Sequence, residues 1–172
     1  MTRTAMIFVL AMSFGLAIAD EGNWTGSINL NASSTISTRD TQSIFIFGDA
    51  QRNFAKGRLG IKANYAFSRQ DPGAGPSVTT EDRWSLSGQY DWNIGTKTFG
   101  YFSGRLDRDA IARLDLRTVF GAGLGTFLFG PSTLNADGDW EWKVSAGASL
   151  VNENYRTGAD NDYVGLQLGS NY

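Results

Sequence analysis

The chain has 172 residues, enough for one domain, and its 41% hydrophobic and 19% charged content is that of an ordered protein. A formal charge of −2 supplies no basic face for nucleic acid. Cysteine and histidine are both absent, which excludes disulfides, thiol nucleophiles, serine–histidine hydrolysis, histidine general bases and zinc sites built on either residue, and leaves only carboxylate-pair chemistry.

The amino-terminal residues read as an address. Arg3 is followed by the uncharged run Ala5–Ile18, then by Ala17-Ile18-Ala19 and Asp20-Glu21. A basic start, an apolar stretch and a small-x-small cleavage site make a secretory signal peptide. The run is shorter than the ~20 residues of a membrane-spanning helix. The expected organisation is a cleaved signal peptide over 1–19 and one domain over 20–172. No later stretch is apolar enough for a membrane helix, so export leads to the periplasm, the medium or an outer-membrane barrel.

From there the chain alternates with period two, the mark of strands with one apolar and one polar face. Trp24, Gly26, Ile28, Leu30 and Ala32 oppose Thr25, Ser27, Asn29 and Asn31. Thr41–Arg52 holds the continuous run Ile44-Phe45-Ile46-Phe47, whose faces the pattern leaves open. Leu59, Ile61, Ala63, Tyr65 and Phe67 oppose Arg58, Gly60, Lys62, Asn64, Ala66 and Ser68. Trp84, Leu86, Gly88, Tyr90 and Trp92 oppose Ser85, Ser87, Gln89 and Asp91. In Lys97–Arg108, Phe102 and Leu106 oppose Phe99, Tyr101, Ser103, Arg105 and Asp107; in Leu114–Leu128, Leu114, Leu116, Phe120, Ala122 and Leu124 oppose Asp115, Arg117, Val119, Gly121, Gly123 and Gly125. Trp140, Trp142, Val144, Ala146, Ala148 and Leu150 oppose Asp139, Glu141, Lys143 and Ser145, and Asp162–Tyr172 ends the series with Val164, Leu166 and Leu168 on one face. Eight antiparallel strands are expected, with Pro72, Pro76 and Pro131 in the connections, where a missing N–H does no harm.

A soluble barrel alternates too, so two further features decide the reading. The clear segments are longer than the ~5–6 residues usual in globular strands and match the ~9–11 that cross a bilayer at a tilt. Trp24, Trp84, Trp92, Trp140 and Trp142 fall toward the ends of the apolar faces, where the aromatic girdles of a transmembrane β-barrel stand at the membrane interfaces. The glycines Gly121, Gly123 and Gly125 on a polar face suit a narrow lumen that must take bulky neighbours. An even strand count sets both ends of the barrel on the periplasmic side.

The polar faces gather Arg58, Lys62, Asp91, Arg105, Asp107, Asp115, Arg117, Glu141 and Lys143. Eight strands enclose a space that side chains fill, so these mixed charges are read as a lumen plugged by ion pairs. Asp107, Asp109 and Asp115 are better explained as solvated or paired strand ends than as a catalytic carboxylate site. Asp137-Gly138-Asp139 and Asp160-Asn161-Asp162 lack the spacing and terminal glutamate of a calcium hand. No catalytic residue, metal or cofactor is assigned.

Several stretches have a familiar order: Trp24-x-Gly26-Ser27-Ile28-x-Leu30, Asp82-Arg83-Trp84-x-Leu86-x-Gly88-x-Tyr90, Arg105-Leu106-Asp107-Arg108-Asp109, Leu116-Arg117-x-x-Phe120-Gly121-Ala122-Gly123-Leu124-Gly125, Glu153-x-Tyr155 and Asp162-Tyr163. In these the chain resembles the DUF481, or YdiY-like salt-induced, outer-membrane proteins over most of Trp24–Tyr172. The resemblance implies an outer-membrane barrel in a Gram-negative bacterium and brings no catalytic residues with it. Members usually continue for several more strands, so a compact eight-stranded barrel and part of a larger one both stay open. The resulting expectation is a non-enzymatic outer-membrane barrel of structural or envelope-stress type, in contact with outer-membrane lipid and the barrel-assembly machinery. The alternatives are a small ion or solute channel, and a soluble exported barrel that binds an apolar ligand.

Overall fold

Alternating segments of this length can satisfy their backbone only by pairing with each other. In the computed structural model, which describes residues 6–17, 24–36, 40–73, 75–129, 142–158 and 160–171, they do so throughout. The strands are β1 (Met6–Ala17), β2 (Trp24–Ile36), β3 (Asp40–Phe54), β4 (Gly57–Asp71), β5 (Val78–Asn93), β6 (Thr98–Asp109), β7 (Leu114–Phe129), β8 (Trp142–Tyr155) and β9 (Asn161–Asn171). They form one antiparallel sheet in chain order, each strand bonded to the next. The fold is therefore all-β and antiparallel, and no helix occurs among the described residues.

Eight of these strands, β2–β9, are those expected from the alternation, in several cases longer than expected: β5 begins at Val78, not near Trp84. The ninth is new. Met6–Ala17, from the stretch read as a signal peptide, lies antiparallel along β2 with Leu10 opposite Ala32 and Met12 opposite Leu30. The proposed cleavage site at Ala17-Ile18-Ala19 falls partly outside the described residues. The sheet is also open where a closed barrel was expected: no ladder joins β9 to β1 or β2 among the described residues. The cause is visible in the pairing, since β1 occupies the edge of β2 that a closing strand would need.

The sheet is nonetheless rolled. Tyr101 on β6 donates its hydroxyl hydrogen bond to Gln167 on β9 at 3.2 Å, and Lys143 Nζ on β8 stands 3.5 Å from Asp91 Oδ2 on β5. Each pair is separated by three inter-strand steps, about 14 Å in a flat sheet. Both contacts lie on the polar face, so that face is the concave one.

Burial is inverted relative to a soluble sheet. On the convex face Phe120 is 64% exposed, Leu150 64% and Leu166 90%. The buried residues include Asp91, Asp107 and Glu153 beside Phe99, Tyr101 and Phe127. The undecided run in β3 resolves by register. Ser43 shares a 2.9 Å hydroxyl contact with Ser68, and Phe45 opposite Ala66 and Phe47 opposite Asn64 share its concave side, which sends Ile44 and Ile46 to the convex one.

Register shifts lie near strand ends, between Ser68 and Arg69, Asp107 and Asp109, Leu114 and Leu116, and Phe127 and Phe129. The third changes a face. Leu114 was expected with Leu116 and Phe120, but it pairs with Tyr155 and is buried, because Asp115 is the extra residue of the bulge.

Connections 72–77, 110–113 and 156–160 gather at one end of the sheet, and 55–56 and 94–97 at the other. The turn after β6 is held by Asp109, whose carboxylate accepts from the N–H groups of Ile111 (3.0 Å) and Ala112 (2.9 Å). The connection holding Pro131 and Asp137-Gly138 lies outside the described residues.

Candidate functional site: the concave face

The centre of the concave face is floored by glycine. Phe99, Tyr101 and Ser103 on β6 stand directly opposite Gly125, Gly123 and Gly121 on β7. A Cβ at Gly123 would lie 2.7 Å from Tyr101 Cε1, one at Gly125 2.7 Å from Phe99 Cε1, and one at Gly121 2.7 Å from Gln167 Nε2. A Cβ at Gly147 on β8 would collide with the Tyr101 hydroxyl. Large side chains of β6 and β9 thus lie flat across β7 and β8, aromatic ring over bare backbone. Phe127 completes the layer, its ring 5.3 Å from that of Phe99.

Charge is arranged above this floor in two tiers. Toward the 94–97 end, buried Asp91 accepts from Gln89 Nε2 at 2.6 Å and meets Lys143, whose ammonium also lies 5.6 Å from the Phe99 ring centroid. Arg58 is the ladder partner of Asp91 on its other side. Toward the 110–113 end, Glu153 accepts from Arg117 Nε at 2.6 Å and from the hydroxyls of Tyr155 and Tyr163 at 3.0 Å each. Arg105 Nε lies 2.8 Å from Asp107 Oδ1 in the same tier. Each buried carboxylate therefore accepts a hydrogen bond from a cationic or neutral donor, which is what keeps a charge tolerable away from water.

Between the tiers runs a cavity of about 770 Å³ bordered by β3 to β9, with Gln51, Arg58, Lys62, Gln89, Arg105 and Lys143 among its walls. Lys62 has Asp49 as its ladder partner, and Asp49 in turn accepts from the Ser27 hydroxyl. Such a site can hold water and small polar solutes. No group of acidic side chains able to hold a metal ion occurs among the described residues.

Of the nine charges read from the sequence as facing a lumen, Arg58, Lys62, Asp91, Arg105, Asp107, Arg117 and Lys143 share the concave face. Asp115 does not. The bulge at the start of β7 puts it at the rim, where it pairs with Arg156 at 2.9 Å and is 46% exposed. Glu141 lies outside the described residues. Sequence reasoning passed over Tyr101, Gln89, Gln167, Tyr155, Tyr163, Phe99 and Phe127. Tyr101 and Phe99 stand two and three alternations before Arg105 on the same face, a period-two signal that charge alone does not bring out.

The convex face carries aromatics at the 94–97 end. Phe54, Tyr90, Trp92 and Phe102 form a run of ring contacts, with centroids 6.0, 6.5 and 5.0 Å apart in that order. Trp142 stacks on Phe129 at 5.7 Å and donates its indole N–H to Ser170 Oγ at 2.9 Å. Trp24 stands opposite Arg52 at the same end. Trp84 is opposite Tyr65, toward the other end. Trp140 lies outside the described residues.

No curated protein and no solved structure gives a match to this chain. The family described as "Protein of unknown function, DUF481" matches residues 28–172, from the middle of β2 through β9 and the concave site, and the chain therefore belongs to the DUF481 family.

Proposed function

We propose that the protein is a non-enzymatic outer-membrane β-barrel of structural or envelope-stress type, exported by a signal peptide cleaved after Ala19. The salt response is what the family resemblance adds to that reading. The observation that carries it is the inverted burial: Phe120, Leu124, Leu150 and Val164 stand exposed on the convex face, while Asp91, Asp107 and Glu153 are buried on the concave one. In water such a convex face is a liability, because exposed apolar patches of this extent mark contact with protein or lipid. In a bilayer it faces acyl chains, and the aromatic groups that include Trp92 and Trp142 sit at the depth of the headgroups.

The concave face argues for a filled interior. Ion pairs and a layer of aromatic rings line it, with Lys143–Asp91 reaching from β8 across to β5, and an eight-stranded barrel is only wide enough for its side chains. A soluble barrel that holds an apolar ligand would need apolar side chains where Asp91, Lys143, Arg117 and Glu153 stand. A small channel is favoured by one observation alone, the cavity between the two charged tiers.

The test is membrane fractionation followed by gel electrophoresis of boiled and unboiled material. Recovery with the outer membrane and a heat-dependent shift in mobility are expected. Recovery in the soluble fraction overturns the reading. Stepwise conductance of the purified protein in planar bilayers would replace the plugged barrel with the channel.

A further inference from the structure

The two edges of the sheet carry information about how it closes. Ladder partners traced from Ile28 on β2 lead through Gly48, Ala63, Leu86, Leu106, Thr118 and Asn152 to Asp162 on β9. Ile28 is near the start of β2 and Asp162 near the start of β9. Since β2 and β9 run in opposite directions, those starts lie at opposite ends of the sheet. A path perpendicular to the strands thus climbs from one end to the other in a single circuit, which is the stagger of tilted strands in a barrel.

Closure must use an even stagger, because an odd one would turn Val164, Leu166 and Leu168 inward. Eight strands tilted by about 36° have a shear of about eight residues. That shear sets Asp162 opposite Ile36, Leu166 opposite Ala32, Gln167 opposite Asn31 and Leu168 opposite Leu30. Apolar residues then meet on the convex side and amides on the concave side. The exposed flank of β9, with Leu166 at 90% and Leu168 at 87%, gains its missing neighbour.

These are the positions of β2 that β1 holds: Leu10 opposite Ala32, Ala11 opposite Asn31 and Met12 opposite Leu30. We propose that β1 and β9 are alternative partners for one edge of β2, so that the leader segment blocks closure and its removal lets β9 pair with β2 in the register that sets Leu166 opposite Ala32. This rests on the outer-membrane reading above. It adds a register, and it makes signal cleavage the step that frees the closing edge.

The absence of native cysteine makes the register directly testable by disulfide trapping in the full chain, expressed with its leader. Two double variants are needed, Ala32→Cys/Leu166→Cys and Asn31→Cys/Gln167→Cys. Neighbouring antiparallel pairs alternate between bonded and non-bonded geometry, and one of the two will suit a disulfide. In processed, heat-modifiable protein at least one pair is expected to form an intramolecular disulfide. With processing blocked by Ala19→Arg, that cross-link should vanish and Ala11→Cys/Asn31→Cys should cross-link in its place. Trapping of Ser34→Cys with Leu166→Cys instead of Ala32→Cys would overturn the register, and a disulfide-linked dimer would overturn intramolecular closure. Heat-modifiable membrane protein with no cross-link at either pair overturns the pairing alone. Soluble recovery of the processed chain overturns the membrane reading beneath it.

Discussion

The concave sides of β6–β8 and of β2–β3 follow the same alternation yet are finished differently. The first holds Phe99, Tyr101, Asp107, Phe127, Ser149 and Glu153 in buried positions, whereas β2 and β3 contain no buried residue. The difference lies in pairing large with absent side chains. Opposite Phe99 and Tyr101 stand Gly125 and Gly123, so the rings lie down across the neighbouring strands. On β2 the concave residues are Ser27, Asn29, Asn31 and Ser33, short polar groups that cannot reach across a curved sheet. Burial inside a small rolled sheet is therefore decided by which strands carry glycine on the polar side, more than by how polar that side is.

The largest expected effect breaks this contrast at its floor. Gly123→Val drives its side chain into the Ala146 carbonyl oxygen and Gly147 Cα as well as the Tyr101 ring, and because that opposing backbone is fixed in the ladder it should cost about 3 kcal/mol or more, at or beyond the upper end of overpacking. Gly60→Val, on the concave side of β4 with nothing within 4 Å of its Cβ position, should stay within about 0.5 kcal/mol. Urea unfolding in lipid vesicles, read by loss of the heat-modifiable band, compares the two; equal effects would erase the distinction between the regions.

Phe120→Arg tests the other side of the packed half. At mid-bilayer depth the charge should cost about 2–4 kcal/mol in the same assay. At a position 64% exposed to water it would cost next to nothing, so an unchanged midpoint would return the convex face to solvent.

Glu153→Ala removes the acceptor shared by Arg117, Tyr155 and Tyr163 and should cost about 2 kcal/mol, with Glu153→Gln losing roughly half as much. Similar losses for both variants would mean that packing, not charge, holds the tier together. The smallest effect belongs to the rim. The Asp115–Arg156 pair has side chains 46% and 55% exposed, so Arg156→Ala should change stability by less than about 1 kcal/mol; a larger loss would make the bulge at Leu114 dependent on that pair.

Most of the sheet was legible in the sequence because alternation reports the face of a residue directly. Trp84 to Trp92 and Arg58 to Ser68 read as they stand in β5 and β4. Alternation fails where both faces carry apolar residues: the faces of Ile44-Phe45-Ile46-Phe47 are fixed by the contact of Ser43 with Ser68 on the next strand. It fails again at bulges, where one inserted residue swaps faces, so that Leu114 turned inward and Asp115 moved to the rim. Partners across three strands, such as Tyr101 with Gln167, depend on curvature, which no local pattern encodes. The run Met6–Ala17 is apolar at nearly every position, so its composition suits a leader and an edge strand equally well.

The strict chain order of the sheet also has a kinetic side. Every ladder from β2 to β9 joins sequence neighbours, across two to six residues everywhere except the twelve between β7 and β8, so seven of the eight pairings of a closed barrel can form between consecutive strands. The eighth alone would span the domain, and bringing together ends more than a hundred residues apart costs about 3 kcal/mol more in loop entropy than closing a four-residue turn. Assembly should therefore pause as an open, curled sheet, with edges exposed on β2 and β9, and finish in one slow, concerted step.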